Sequence, residues 1–510
     1  MFNKALTLPI VYFLLLNGLA DFPVAVQAES VQVAPAVIQF RERIDLLISD
    51  DCHNGRGGLK FYSLDKNQVL YEKNSHALFS PASNMKMVTS VAALKKVGPG
   101  YRFHTRVHTD GRIAHRVLKG NLYLQGLGDP SLVTEQMWIL VNEIKNLPLK
   151  KVEGDIIADS SFFEDQGRLK TWRRYDGPEA YLAPLGALSF NFNTVTVHIE
   201  PGPRVGDPPL VIVDPEIDFI RIDNTAVTTG KRQRRGRLIV NRRAHENYNE
   251  VTVSGNLPIH MARKKYYLNI TDPERYTAEV FKKFLRQAGV EVTGSVRRGQ
   301  VPRDATLLVD HESPPLGEIL RGLNKFSNNF VAEQILRTLG AEIFGRPGTT
   351  ENGVRVLSEY MNTLGYSAGQ YRIVDGSGLS RQNRLSPDQI VRMLVDARND
   401  MGIFPEFVSA LGVMGLDGSV EDRMNGNKDA QRIRVKTGTL DQVSALSGYF
   451  QSQDGERFAF SILLNDLKCS NGKAMALQDK IMEVALQFQR NSSEAGKSKM
   501  PAMGGGGKKN

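Results

Sequence analysis

The sequence predicts an α/β fold: one sheet of five strands flanked by helices, interrupted by a large β-rich insertion. Three observations predict it. Two strand-like segments lie early in the chain and three lie late, so the two halves must pair to complete one sheet. Helical periodicity surrounds both groups. Between them, from about residue 103 to 303, short alternating segments separated by Gly and Pro dominate.

The elements follow in order. Lys4, an apolar run over 5–19 and the small-residue site Val26-Gln27-Ala28 read as a secretory signal peptide over 1–28, cleaved near Ala28. The run is too short to stay as a membrane span; a buried N-terminal helix is the alternative. No Cys follows it, so no lipid anchor is expected there. Residues 37–48 read as a helix with Pro35 near its first turn. Strands are expected over 58–64 and 68–72, joined by Asp65-Lys66-Asn67. Ser80 is the expected N-cap, and Pro81 the first residue, of a helix running to about 96 and ended by Gly98-Pro99-Gly100.

The insertion reads as strands such as 103–109, 120–124 and 194–199, with a helix over 276–289. Two subdomains are expected in it: 103–196 with 250–303, and 197–249 nested between them. Later helices are expected over 317–323, 330–339, 353–364 and 387–396. Strands follow over 432–439, 443–450 and 458–465, the last pair joined by an Asp454-Gly455 turn, and a final helix over 475–487. The sheet-forming parts are thus 29–102 and 304–490. The tail 491–510, with four consecutive glycines from Gly504, reads as disordered.

Composition narrows the setting. The chain has 510 residues, of which 41% are hydrophobic and 24% charged, as in a soluble globular protein, with a net charge of +10. Excess cations favour anionic surroundings. Export argues against nucleic acid and for a membrane surface or an anionic wall polymer. The densest basic run is 231–237, continued by Arg242 and Arg243; it reads either as a solvated hairpin tip or as such a contact. Two cysteines, Cys52 and Cys469, are too few for a disulfide scaffold and wrongly spaced for zinc. No His-Glu-x-x-His occurs, so neither metal nor cofactor is expected.

Three short motifs carry chemistry. In Ser83-Asn84-Met85-Lys86, positions i and i+3 of one helix put an amine within reach of a hydroxyl. A serine needs such a base to become a nucleophile, and a lysine serves once burial or another cation lowers its pKa. In Ser327-Asn328-Asn329, at a helix start, Ser327 and Asn329 can face one cleft. In Lys436-Thr437-Gly438-Thr439, a late strand presents a cation and hydroxyls able to grip a carboxylate, and Gly438 allows close backbone approach. Each motif alone is weak: an exposed helix face, a helix cap or an ordinary strand end explains it. Their order and contexts together are specific.

The ordered set resembles the signature of class A β-lactamases and penicillin-binding proteins, whose middle motif is written Ser-Asp-Asn where this chain has Ser327-Asn328-Asn329. The chain resembles the low-molecular-mass penicillin-binding D-Ala-D-Ala carboxypeptidases that carry a large insertion between the first two motifs. The long interval from Ser83 to Ser327 fits that subfamily and is too long for a class A β-lactamase. Further segments are similar to it, among them Gly126-Leu127-Gly128-Asp129-Pro130, Asp159-Ser160-Ser161, Asp375-Gly376-Ser377-Gly378-Leu379-Ser380 and Asp417-Gly418-Ser419.

The resemblance implies a transpeptidase-like domain with an antiparallel sheet. It implies hydrolysis of D-alanyl bonds in peptidoglycan stem peptides in the periplasm, with β-lactams as covalent inhibitors. Ser83 would attack and Lys86 take the proton. Ser327 would relay a proton to the leaving amine, and Asn329 would hold the substrate amide. Lys436 and Thr437 would bind the terminal carboxylate, and the N–H groups of Ser83 and Thr439 would form the oxyanion hole beside Gly438. Asp159 would reach a free amine on the peptide. In the family fold the first and last strands are neighbours, which implies a Cys52–Cys469 disulfide. The alternatives are a serine β-lactamase and an inactive wall-binding protein.

Overall fold

The computed structural model describes residues 34–49, 52, 56–164, 167, 169–172, 177–230 and 236–490. The expected signal peptide, the tail and residues 231–235 of the basic run lie outside the described residues.

The early and late strands do form one antiparallel sheet. Its order is Gly412–Val413, Ile433–Leu440, Val443–Gln451, Arg457–Asn465, Gly57–Ser63 and Gln68–Lys73. The first of these is a two-residue edge strand that extends the expected five to six; it is too short to show a period of two. Residues 458–464 run as Phe-Ala-Phe-Ser-Ile-Leu-Leu and are buried throughout, because the sheet is covered on both faces. Phe458, Phe460, Ile462 and Leu464 pack against the terminal helices Pro35–Ile48 and Asn471–Leu486. Ala459 and Leu463 point the other way, toward the helical lobe.

That lobe is built on Met85–Val97, Leu316–Lys325, Asn329–Phe344, Thr350–Thr363 and Pro387–Arg398. Gly57 pairs with Leu464, so Cys52 and Cys469 emerge at one end of the sheet. They are joined as a disulfide, with Cα atoms 5.0 Å apart.

The insertion has its own core around Val107, Leu124, Ile156, Val197, Val251 and Phe281. It contains a five-stranded sheet, a three-stranded sheet and two four-stranded sheets. It also holds a helix not read from the sequence, Thr134–Lys145, whose Met137, Leu140, Val141 and Ile144 are buried. The expected boundaries move. Strand Thr306–Glu312 pairs with His104–Thr109, so the inserted body runs past residue 303. The nested limits 197 and 249 cut across strands Thr194–Glu200 and Asn249–Pro258, whose pairing continues on both sides. Of the basic residues near the run, Arg237, Arg242 and Arg243 lie on strand Arg237–Ala244, paired with Asn249–Pro258.

Candidate active site

The turn that carries Ser83 differs from the expected cap. The α-helix begins only at Met85, after a 3-10 turn over Ala82–Asn84, and no side chain caps it. Ser80 is instead tied to the sheet: its N–H donates to Asn465 Oδ1 at 2.8 Å and its carbonyl accepts from Asn465 Nδ2 at 3.2 Å. That tie delays helix formation. Ala82 takes a left-handed φ of 45°, which is costly for a residue with a Cβ. Asn84 then fastens the turn from below by donating to Ser447 Oγ at 2.7 Å. Ser83 is left half-buried on top of the turn, open to the cleft.

Lys86, one helical turn on, is wholly buried. Its amine lies 2.9 Å from Ser83 Oγ and donates to Asn329 Oδ1 at 2.7 Å and to the Ser377 carbonyl at 2.7 Å. Loss of water pulls its pKa down to about 7, although Asp375 and Glu333 pull it back up. Lys436 is also wholly buried. It donates to Ser327 Oγ at 2.9 Å and to the Thr437 carbonyl at 2.8 Å. Burial, and then the nearby Lys86 charge, hold its amine well below the usual lysine range.

Two half-buried hydroxyls are thus each hydrogen-bonded to a buried amine, and the two amines are near enough to repel one another. Ser327 reaches its place through a left-handed φ of 57°, and Asn328 caps the following helix by accepting from the Val331 N–H. Asn329 also donates to the Tyr181 carbonyl at 3.1 Å, which ties the insertion to the site.

Gly438 explains why the third motif needs a glycine. A Cβ there would stand 2.9 Å from the Pro81 carbonyl oxygen and 3.0 Å from the Ser83 nitrogen. Only a bare backbone lets the strand run this close to Ser83. Thr437 Oγ1 is half-buried and shares a hydrogen bond of 2.8 Å with Ser419 Oγ. Thr439 is exposed at the strand end. Asp417, two residues before Ser419, pairs with Lys325 at 2.5 Å and so braces the loop that carries Ser327.

Seven of the expected residues thus meet: Ser83, Lys86, Ser327, Asn329, Lys436, Thr437 and Gly438, with Thr439 next on the strand. Asp159 does not join them. It ends a strand of the insertion and is only 1% exposed. Its carboxylate accepts from Gln125 Nε2 at 3.0 Å and from the N–H groups of Ser161 and Val301 at 2.9 Å each. These bonds tie together the elements of that sheet.

Three contributors were missed. Asn84 looked like a spacer between Ser83 and Lys86. Ser377 acts through its carbonyl, which no side-chain pattern reveals. Glu333 sits wholly buried in a helix that is buried on every side from Asn329 to Ala341, a burial that acids rarely show, and its spacing of four from Asn329 was the available signal. Burial and the neighbouring Asp375 push its carboxyl up.

Comparison with known proteins agrees with this geometry. Residues 41–487 match the D-Ala-D-Ala carboxypeptidase 3 (S13) family. A D-alanyl-D-alanine carboxypeptidase from Actinomadura sp. (strain R39) is 32% identical over 488 residues, covering 92% of this chain and 88% of that protein. The fold is shared with penicillin binding protein 4 (dacB) from Haemophilus influenzae, at a TM-score of 0.76 and 24% identity over 88% of this chain and 99% of that one. A second structure of that protein, complexed with a β-lactam, superposes at a TM-score of 0.70 and 23% identity, with the same coverage. A match across most of the chain, together with motifs that converge on one cleft, leads to one assignment: the chain belongs to the D-Ala-D-Ala carboxypeptidase 3 (S13) family, whose members are serine peptidases.

Proposed function

We propose that this protein hydrolyses D-alanyl-D-alanine bonds in peptidoglycan stem peptides through an acyl-enzyme on Ser83, as a carboxypeptidase, a D,D-endopeptidase or both. One observation carries the reading: a wholly buried amine, Lys86, whose burial holds its pKa at about 7, lies 2.9 Å from the hydroxyl of half-buried Ser83. Ser83 Oγ attacks the carbonyl of the penultimate D-Ala, and Lys86 takes its proton. The developing oxyanion is met by the Ser83 and Thr439 N–H groups. The close approach of Gly438 to the Ser83 nitrogen supports that pairing, and each such donor contributes about 3 kcal/mol.

Ser327, on Lys436, hands a proton to the departing amine. Thr437 and the Lys436 charge hold the terminal carboxylate, and Asn329 holds the substrate amide while fixing Lys86. Water then attacks the ester and frees the peptide. A β-lactam enters the same path, with its ring amide in place of the D-alanyl bond. Asp159, buried and hydrogen-bonded within the insertion, is given no substrate role in this scheme.

Peptidoglycan lies outside the cytoplasmic membrane, and the N-terminal apolar run supports export to the periplasm. No helix among the described residues is long and apolar enough to cross a membrane. Exposed Arg237 and Arg243 support a peripheral contact with an anionic membrane or wall polymer.

Incubation with defined muropeptides, read by mass, tests the reading. Free D-Ala or opened cross-links are expected, and Ser83→Ala abolishes both. Products formed at the wild-type rate by Ser83→Ala would refute it. A serine β-lactamase would instead clear bound penicillin rapidly. An inactive wall-binding protein would release nothing, and the intact hydrogen bonds of both lysines speak against it.

A further inference from the structure

Behind Lys86 lie two carboxylates, Glu333 and Asp375, both at 0% exposure. The scheme above gives neither a part. Their donors are backbone and neutral side-chain N–H groups. Asp375 accepts from the Gly378 N–H at 2.8 Å, the Ser380 N–H at 2.8 Å, Asn383 Nδ2 at 2.7 Å and Trp172 Nε1 at 3.1 Å. Glu333 Oε1 accepts from the Ser377 N–H at 2.8 Å and the Gly376 N–H at 3.1 Å, and Oε2 from the Gly376 N–H at 3.2 Å. A ring made only of donors favours ionised acids, which offer acceptors alone; it opposes the burial and the neighbouring Asp375, which push the Glu333 carboxyl up to about 7.

The same turn faces the nucleophile helix with its carbonyls. Gly376 O accepts from Thr89 Oγ1 at 2.7 Å and Ser377 O accepts from Lys86 Nζ at 2.7 Å. The Ser377 residue is therefore gripped at both ends, by Glu333 at its N–H and by Lys86 at its carbonyl. Glu333 and Asn329 lie four apart on one helix face. Asn329 bonds Lys86 directly; Glu333 does so through Ser377. During acylation Lys86 must become an ammonium in a dry site that already holds Lys436. A cation formed there without a nearby anion is costly. The titratable groups around the Lys86 amine are Lys436 from the strand, Glu333 from the helix and Asp375 from the turn.

We infer that Glu333 is a positioning residue of the acyl transfer: through the Gly376 and Ser377 amides it fixes the carbonyl on which Lys86 rests, and with Asp375 it supplies the anionic charge that lets Lys86 accept the Ser83 proton. The inference rests on the proposed acyl-enzyme reading. Removing the Glu333 charge makes Lys86 harder to protonate, so the rising limb of the rate against pH moves to lower pH. The weaker base also lowers the plateau.

The test is the rate of acylation by a fluorescent penicillin from pH 5 to 9, on wild type, Glu333→Gln, Glu333→Asp and Asp375→Asn, each with a thermal melt. Glu333→Gln is expected to shift the limb down by about half a pH unit or more and to lower the plateau by about tenfold. Glu333→Asp, which keeps the charge, returns the limb to its wild-type position. Asp375→Asn shifts the limb in the same direction without touching the Ser377 amide, and so serves if Glu333→Gln does not fold. A folded Glu333→Gln, or failing it Asp375→Asn, whose limb superimposes on wild type overturns the inference. Ser83→Ala separates the two claims: acylation that survives it sinks the proposed function, whereas its loss beside an unshifted limb sinks the role of Glu333 alone.

Discussion

Replacing Lys86 with Met removes the amine while keeping a chain of similar length. An unperturbed lysine has a pKa of about 10.4 and is neutral in about one molecule in a thousand near pH 7.4. Lys86, held at about 7, is neutral in most molecules there. The site therefore raises the supply of base by about three powers of ten, or about 4 kcal/mol. Acylation by a fluorescent penicillin at pH 7.5 should slow by about a thousandfold or more in Lys86→Met. In wild type the rate should rise about tenfold per pH unit below 7 and level off above it.

Stability carries a matching signature. The folded pKa lies below the unfolded one, so between about pH 7 and 10 the unfolded chain binds more protons. Wild type therefore gains stability relative to Lys86→Met as pH rises through that window. A flat rate profile from pH 5.5 to 8, or a folded Lys86→Met that keeps a tenth of the activity, would refute the reasoning.

Other changes have separate readouts. Gly438→Val places a side chain against the Pro81 carbonyl and the Ser83 nitrogen; the strand must retreat, acylation should fall about a hundredfold and overpacking should cost about 1–3 kcal/mol of stability, whereas an unchanged acylation rate would contradict it. Asn329→Ala removes an acceptor from Lys86 and the tie to Tyr181; D-Ala release should fall at least about tenfold, measured by coupled assay, and an intact rate would dismiss its role. Cys52→Ser with Cys469→Ser opens a closure spanning 417 residues; urea unfolding should show a loss of about 2–4 kcal/mol with acylation unchanged, and equal unfolding midpoints would contradict it.

Much of the site was legible because its chemistry recurs at fixed helical and strand spacings. Ser83 with Lys86, and Ser327 with Asn329, were readable as pairs. The convergence of the three motifs was carried by the family resemblance, since nothing local places Lys436 beside Ser327. The sheet was legible from the buried run at 458–464 and the Asp454-Gly455 turn. What escaped was set by tertiary contacts. Ser80 looks like a cap by local preference, yet Asn465 binds its backbone on both sides and the helix starts five residues later. Thr134–Lys145 was hidden inside a stretch that reads as strands. Asp159 carried a motif resemblance that its burial and three hydrogen bonds turn to a structural use. Glu333 acts through a backbone amide, and side-chain spacing does not record that kind of contact.

The central claim is that Ser83 forms the covalent intermediate. Mass spectrometry of peptides from protein trapped with benzylpenicillin tests it most directly. One penicilloyl group on the peptide containing Ser83, absent after Ser83→Ala, is the expected result. An unmodified Ser83 peptide, or an adduct on another residue, would contradict the account.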